Sequence, residues 1–179
     1  MTQEAGASMT PEEAGRMSPT AALAELGLRL PPVVPPVAAY VPATRTGNLV
    51  YTAGQLPMRD GALLATGKVG ADVTPEAAYE AAQQCALNAL AAAASVAGGL
   101  DQIHRIIKVV GFVASAPDFT GQPGVVNGAS ELLGKVFGDA GIHARSAVGV
   151  AVLPLDAAVE VELIVETNEG VLRESQQIG

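Results

Sequence analysis

The stretch His143-Ala-Arg-Ser-Ala-Val-Gly-Val-Ala-Val-Leu-Pro154, followed by Val159-Glu-Val-Glu-Leu-Ile-Val-Glu166, decides the fold. Its two apolar runs predict strands over 146–153 and 158–166. In the second run apolar residues alternate with glutamates, so one face packs on helices and the other meets water, a cleft or a partner subunit. Arg145 stands at the mouth of the first strand. An arginine beside so much apolar sequence indicates a bound anion, and the spacing favours a small carboxylate with an acid nearby.

Earlier segments supply the remaining elements. Strands are predicted over 38–44, 48–53 and 103–114, with a short piece around Leu63. A Thr74 N-cap with proline after it begins a helix that ends at the Gly98-Gly99 pair, and a second helix is predicted over 125–137. The order β-β-(β)-α-β-α-β-β indicates an α+β fold, with one mixed, mostly antiparallel sheet and both helices packed on a single face.

The first of these helices is rich in alanine. Polar residues recur on it every four positions and predict one wet face: Glu76, Glu80, Gln84 and Asn88. Before the domain, we expect a disordered leader over 1–19 and a short helix with a proline-rich linker over 20–36. The domain itself is predicted over 37–166, and a flexible tail over 167–179.

Composition excludes several classes of function. The net charge of −8 argues against nucleic-acid binding, which needs clustered Lys and Arg. Aromatic residues make up 3% and there is no Trp, so we expect the core to be completed by oligomerisation. Cys85 is the only cysteine, and with two separated histidines it predicts no metal site. No segment has the length of a membrane span or the pattern of a secretion signal, which predicts a cytoplasmic protein.

Several residues are candidates for chemistry, each with a plainer interpretation. Arg145 could hold a carboxylate through two hydrogen bonds, or form an internal salt bridge to Glu160 or Glu162. Either glutamate could position water or relay a proton, or simply be solvated. Tyr40 could cover a ligand or be an interface residue. Gly54, after a strand, permits a close approach by a ligand or backbone.

Two further polar residues lie near this arginine or on the second helix. Asn127 could bond a ligand or a neighbouring loop through its amide. His143, two residues before Arg145, is interpreted as a rim residue rather than a base. No glycine cluster matches a nucleotide fingerprint, so any chemistry here is predicted to be free of cofactors.

Three motifs together resemble one known family. They are Asn48-Leu-Val-Tyr-Thr-Ala-Gly-Gln-Leu-Pro57, Ala144-Arg-Ser-Ala-Val-Gly-Val-Ala-Val-Leu-Pro154 and Val159-Glu-Val-Glu162. They resemble the reactive intermediate deaminase family, also called Rid or YjgF-like, over about 37–165. The resemblance implies a chorismate-mutase-like subunit in a homotrimer with a barrel-like centre and clefts between subunits. It also implies hydrolysis of enamines and imines, such as 2-aminoacrylate, to 2-keto acids and ammonia.

The family's site residues transfer onto matching positions of this chain. The resemblance assigns carboxylate binding to Arg145 and water positioning to Glu160. It places Tyr40, Gly54, Asn127 and the backbone of Ala147 around the substrate. Many family members carry Ser where this chain has Ala53 and Cys where it has Ala147, so the chain resembles a divergent branch. The alternatives are a non-catalytic trimer that binds or senses a small carboxylate such as a 2-keto acid, and a purely structural subunit.

Overall fold

The computed structural model describes residues 17–33 and 39–168. Most of the predicted leader, part of the linker and nearly all of the tail lie outside these described residues. A five-stranded sheet has the order β1-β2-β7-β5-β6, and a small hairpin of β3 and β4 lies apart from it. The strands are β1 Ala43–Thr46, β2 Leu49–Thr52, β3 Met58–Arg59, β4 Ala62–Leu63, β5 Ile103–Ala114, β6 Ala144–Val150 and β7 Val159–Thr167. The helices are α1 Pro19–Glu25, α2 Pro75–Ala97 and α3 Gln122–Phe137.

The pairing is mostly antiparallel, as predicted. Neighbours β1 and β2, β2 and β7, and β7 and β5 are antiparallel, while β5 and β6 are parallel and joined through α3. Alternate residues of β7 are buried from Val159 to Thr167, which gives the sheet one covered face and one open face. The α+β fold with two long helices on a single face is therefore confirmed.

Local chemistry explains the limits of α2. The Thr74 side chain accepts from the Ala77 N–H, and Pro75 follows at the first helical position. At the other end Gly98 adopts φ 93°, a left-handed conformation that costs glycine no Cβ clash. The predicted start and stop of this helix are confirmed.

The predicted wet face of α2 is wrong in its second half. Gln84 is 4% exposed and Asn88 2% exposed, because the segment that leads into the β3–β4 hairpin covers them. Asn88 Nδ2 donates to the carbonyls of Leu56 and Met58 at 2.9 and 3.0 Å, and Gln84 Nε2 donates to Asn88 Oδ1. Burial is tolerated because every polar atom has a partner.

Helix α1 lies against α3 as part of the same core. Its Leu23 is 2% exposed, and the Thr20 N–H donates to Asp101 Oδ1 at 2.9 Å. Ser18 caps its start, and Gly27 follows its end with φ 70°.

Several strands differ in their limits from the sequence prediction, and β3 was not predicted as a strand; the starts of β6 and β1 differ by more than one residue. Strand β6 begins at Ala144 rather than Ser146, because it pairs with β5 from Lys108 onward. Arg145 is thus the second residue of a strand and not a loop residue at its mouth. Strand β1 begins only at Ala43, directly after Pro42, whose ring nitrogen has no hydrogen to donate to a ladder.

Candidate active site

Arg145 projects from the edge strand β6 toward α3. It pairs with Val109 across β5, and Val109 pairs with Leu163 on β7. Both partners are buried under the helices, at 0% and 1% exposure. Directly paired residues share a face of a sheet, so Arg145 belongs to the helix-covered face.

Helix α3 holds one end of the guanidinium. Arg145 Nη1 donates to Asn127 Oδ1 at 2.7 Å and to Ser130 Oγ at 3.2 Å. Asn127 and Ser130 are three residues apart on α3 and so lie on one side of that helix. Because Nη1 has two hydrogens, these two bonds use both of them.

The other edge of the guanidinium stays open. Among residues 17–33 and 39–168, no acceptor is bonded to Nε or Nη2, and the salt bridge to Glu160 or Glu162 that the sequence left possible does not form. The N–H groups of this edge have the geometry that binds a carboxylate through two parallel hydrogen bonds. A cavity of about 320 Å³ is lined by Ser130, Gly134, Gly141, Ile142, His143 and Arg145.

His143 lines the same cavity and also bonds to Ser130. Its Nδ1 is 2.5 Å from the Gly141 carbonyl oxygen, and its Nε2 is 3.0 Å from Ser130 Oγ. Since a carbonyl only accepts, Nδ1 carries a hydrogen, and in the tautomer with that single ring hydrogen Nε2 accepts from the Ser130 hydroxyl. His143 and Arg145 are two residues apart on adjoining extended backbone, which turns both toward α3.

Glu160 lies on the opposite face of the sheet. It pairs with Phe112 on β5, and Phe112 pairs with Val148 on β6, which is 45% exposed. Burial raises the pKa of the Glu160 carboxyl above its ordinary value, and the charge of Glu162 raises it further. A carboxyl with a raised pKa exchanges protons more readily near neutral pH.

Gly54 provides the space that the Glu160 carboxyl occupies. A Cβ at Gly54 would lie 1.6 Å from Glu160 Oε1, so any side chain there would displace the carboxylate. In the described part of the chain, no hydrogen-bond donor contacts Glu160. The structure thus brings Gly54 and Glu160 together, as it does Arg145 and Asn127.

The Gly54–Glu160 pair and the Arg145–Asn127 pair do not meet within one chain. Arg145 is on the covered face and Glu160 on the open face. Tyr40, 46% exposed, precedes β1, which is four strand spacings from β6 and so about 19 Å away across the sheet. Ala147 pairs with Gly111 on the Arg145 side of the sheet. A site that uses all the predicted residues therefore needs two subunits.

Sequence reasoning did not select Ser130, which bonds to Arg145, and did not predict the bond between His143 and Ser130. The available signals were periodicities: Ser130 is three residues after Asn127 on a helix, and His143 is two before Arg145 at a strand. Neither periodicity is selective by itself, because most residues at such spacings are structural.

Other chemistry is not supported in the described part of the chain. It holds no cluster of three potential metal-binding His, Cys, Asp or Glu residues. Cys85 is buried, with its thiol 3.6 Å from the Val159 carbonyl oxygen, and burial raises its pKa well above the ordinary value. None of the helices described has both the length and the apolar content needed to cross a bilayer. The cytoplasmic location stays a prediction.

Comparison with known proteins identifies the family. The family model described as "YjgF/chorismate_mutase-like, putative endoribonuclease" matches residues 20–167. The Trypanosoma cruzi protein TCP17 is 44% identical over 147 residues, which is 82% of this chain and 92% of TCP17. Atu1372, a protein of unknown function from Agrobacterium tumefaciens, is 49% identical in sequence to this chain. Its crystal structure matches this one with a TM-score of 0.77, covering 84% of this chain and 92% of Atu1372.

A third relative has a named activity. The 2-iminobutanoate/2-iminopropanoate deaminase of Escherichia coli K12 is 32% identical over 128 residues, covering 72% of this chain and 87% of that enzyme. The motifs, the fold and the family match over residues 20–167 agree. This chain belongs to the Rid/YjgF-like family of chorismate-mutase-like proteins.

Proposed function

We propose that this protein hydrolyses reactive enamines and imines of the 2-aminoacrylate type to 2-keto acids and ammonia, at clefts between the subunits of a homotrimer. The observation that carries the proposal is the guanidinium of Arg145, held at Nη1 by Asn127 and Ser130 and open along Nε and Nη2. A preset, open arginine edge is what a small carboxylate needs. The similarity to a 2-iminobutanoate/2-iminopropanoate deaminase supplies the substrate class.

The reaction requires little beyond positioning. An enamine tautomerises to its imine, water adds to the C=N carbon, and the resulting amino alcohol releases ammonia and leaves the keto acid. Arg145 would fix the carboxylate and so orient the C=N carbon. Glu160, with its raised pKa, would position the water and pass protons between that water and the leaving nitrogen. No redox change occurs, so the residues named suffice for the proton transfers.

Assembly would bring the two half-sites together. Arg145 is at one edge of the sheet, whereas Tyr40 is near the other and Glu160 is on the open face. A head-to-tail contact around a closed ring joins such different surfaces at every interface. The open face also carries large apolar side chains, with Tyr51 38% and Val148 45% exposed, which favours a partner subunit over water.

Ribonuclease activity is not our proposal, although the description of the family model names it. The net charge of −8 opposes binding to a polyanion, and the two candidate half-sites carry one arginine between them.

Complementation tests the proposal directly. Arg145→Ala and Glu160→Gln subunits are each expected to keep about 1% or less of wild-type activity toward enzymatically generated 2-iminobutanoate, measured as 2-keto acid formed above the buffer rate. Refolded together in equal amounts, they should recover about a quarter of wild-type activity, since each interface has even odds of an intact Arg145 and of an intact Glu160. The same variants refolded separately and then mixed are the control.

A second mixture distinguishes the site models. Wild type refolded with the Arg145→Ala/Glu160→Gln double variant should also retain about a quarter of the activity if sites span two subunits, and about a half if each site lies within one chain. Wild-type protein that binds 2-oxobutanoate but never exceeds the buffer rate would overturn catalysis. That result would support the carboxylate-binding alternative.

A further inference from the structure

We infer that His143 and Ser130 are positioning residues for Arg145, which set the strength of carboxylate binding without contacting the reacting atoms. The inference rests on the proposed function for the ligand and deepens it. Nothing in the family motifs assigns these two side chains a role. The observation behind it is a continuous chain of hydrogen bonds that ends at the arginine.

This series of hydrogen bonds begins at the backbone of a short turn. Residues Gly138–Gly141 form a three-ten turn directly after α3, and a Cβ at Gly141 would lie 2.4 Å from the Leu133 carbonyl oxygen. Only glycine permits that approach, so the turn is pressed against α3. The carbonyl of Gly141 then accepts from His143 Nδ1 at 2.5 Å.

The tautomer of His143 transmits this constraint. With Nδ1 committed as a donor, Nε2 accepts from the Ser130 hydroxyl at 3.0 Å. The hydroxyl hydrogen is thereby turned toward His143, which leaves an Oγ lone pair directed to Arg145 Nη1 at 3.2 Å. Without His143 the hydroxyl rotates freely, and Ser130 accepts from Arg145 only part of the time.

The consequence is a defined rotation of the guanidinium. Asn127 holds one hydrogen of Nη1 and Ser130 the other, which fixes the plane of the group and leaves Nε and Nη2 without a protein acceptor among the described residues. Loss of the Ser130 bond would leave a single anchor. Carboxylate binding would then have to restrict the guanidinium, a cost that appears as weaker affinity.

Substitutions at His143 and Ser130 test this series of hydrogen bonds. His143→Leu keeps volume but removes the acceptor, Ser130→Ala removes the hydroxyl, and His143→Gln keeps an acceptor close to the Nε2 position. We expect His143→Leu and Ser130→Ala each to raise the Kd for 2-oxobutanoate and the KM for the imine about 2- to 10-fold, with kcat within about twofold of wild type. His143→Gln should stay within about twofold in Kd. His104→Leu, an exposed histidine on β5, is the matched control.

Two readouts separate positioning from mere structural support. The double variant Ser130→Ala/His143→Leu should bind no more weakly than either single variant, because both act through one chain of bonds. Arginine side-chain ¹⁵N spectra, assigned with Arg145→Lys, should show separate Nη signals for Arg145 in wild type and averaged signals in Ser130→Ala and His143→Leu. Additive losses, or Nη signals that these substitutions leave unchanged, would overturn the inference.

The spectra also distinguish failure of this inference from failure of the proposed function. If wild type neither hydrolyses imines nor binds 2-oxobutanoate, the proposed function fails, and the Nη signals alone decide whether His143 and Ser130 position Arg145.

Discussion

The two half-sites of this protein are built in different ways. The Arg145 half is complete within one chain, since Asn127, Ser130 and His143 form a connected set of hydrogen bonds on the covered side of the sheet. The Glu160 half has space but no described hydrogen-bond partner, and depends on the missing side chain of Gly54. The proposed carboxylate binding would thus be preset in the subunit, whereas the proposed water activation would rest on burial and on a neighbouring subunit.

The largest expected effect follows from removing the preset half. Arg145→Ala should lower kcat/KM for 2-iminobutanoate about 10²- to 10⁴-fold, because two charged hydrogen bonds of about 1.5–3 kcal/mol each are lost. The control is Arg105→Ala, since Arg105 is exposed and its ion pair with Glu166, at 3.8 Å, is a surface one. Steady-state kinetics measure both variants. A rate for Arg145→Ala equal to that of the control would eliminate the assigned role.

A smaller effect is expected from the Glu160 half. Glu160→Gln should lower kcat about 10²-fold, which is the low end for a lost general acid–base group, while the Kd for 2-oxobutanoate changes little. Glu162→Gln is the matched control on the same strand and face. If both variants lost activity equally, the distinction between these two carboxylates would be wrong.

The same Glu160→Gln substitution has a predicted pH signature. The folded-state pKa of Glu160 is raised, so the folded protein keeps this proton to higher pH than the unfolded chain, whose Glu pKa is about 4.3. Its contribution to the free energy of unfolding is full below the unfolded pKa and falls as pH rises through the folded one. Because glutamine does not ionise, the Glu160→Gln variant does not lose this free energy of unfolding as the pH rises. The Tm of the variant relative to wild type should therefore rise between about pH 4 and pH 7, as followed by circular dichroism; a difference that falls over this range would contradict the raised pKa.

A substitution at Gly54 tests whether the Glu160 half-site depends on the space that this glycine leaves for the carboxylate. Gly54→Ala places a Cβ where Glu160 Oε1 lies, so the carboxylate must move. We expect kcat to fall about tenfold, with the Kd for 2-oxobutanoate within about twofold of wild type, because Arg145 is on the other face. Gly124→Ala, where a Cβ meets open space, is the control for a glycine replacement. An unchanged kcat in Gly54→Ala would show that the exact placement of the carboxylate is unimportant.

The smallest effect on activity is expected at Asn88. Its amide donates to the Leu56 and Met58 carbonyls, which follow Gly54 in the chain. Asn88→Ala removes a donor from each of these carbonyls, of which that of Leu56 keeps the Met58 N–H, and it removes the acceptor of the buried Gln84 Nε2. It should lower the free energy of unfolding by about 1–3 kcal/mol in urea titrations, with kcat within about threefold of wild type. Gln83→Ala, on a less buried side of α2, should change the free energy of unfolding far less. Equal losses in the two variants would refute a structural role for the buried amide.

Local signals predicted the elements of this fold well. Thr74, Pro75 and Gly98 set the limits of α2 through contacts within a few residues, so their pattern could be read without the rest of the chain. The alternation in β7 likewise indicated its covered face. The solvated face assigned to Gln84 and Asn88 was wrong because a segment remote in sequence covers it. The Leu56 and Met58 carbonyls accept from Asn88, and Gln84 bonds to Asn88 and to Arg59 Nε.

The candidate site was predictable only as a set of residues. Charged residues within apolar strands and the family motifs were enough to select Arg145 and Glu160. They did not predict the face of the sheet on which each side chain lies. Facing depends on register, and a one-residue shift reverses every side chain. Ser130 carried no signal beyond its spacing from Asn127, because its partner Arg145 reaches it across the packing of β6 on α3.

The sequence alone determined the order of the strands other than β3 and of the two long helices, the limits of α2, the alternation in β7 and the resemblance to the family, since these follow from propensities and spacings over short stretches. Only the tertiary structure decided that α3 holds Arg145 open, that Gly54 makes room for Glu160, and that the two lie on opposite faces of one sheet. The physical reason is that strand register and helix packing join residues far apart in the chain, and hydrogen bonds at about 3 Å form only once that packing is set.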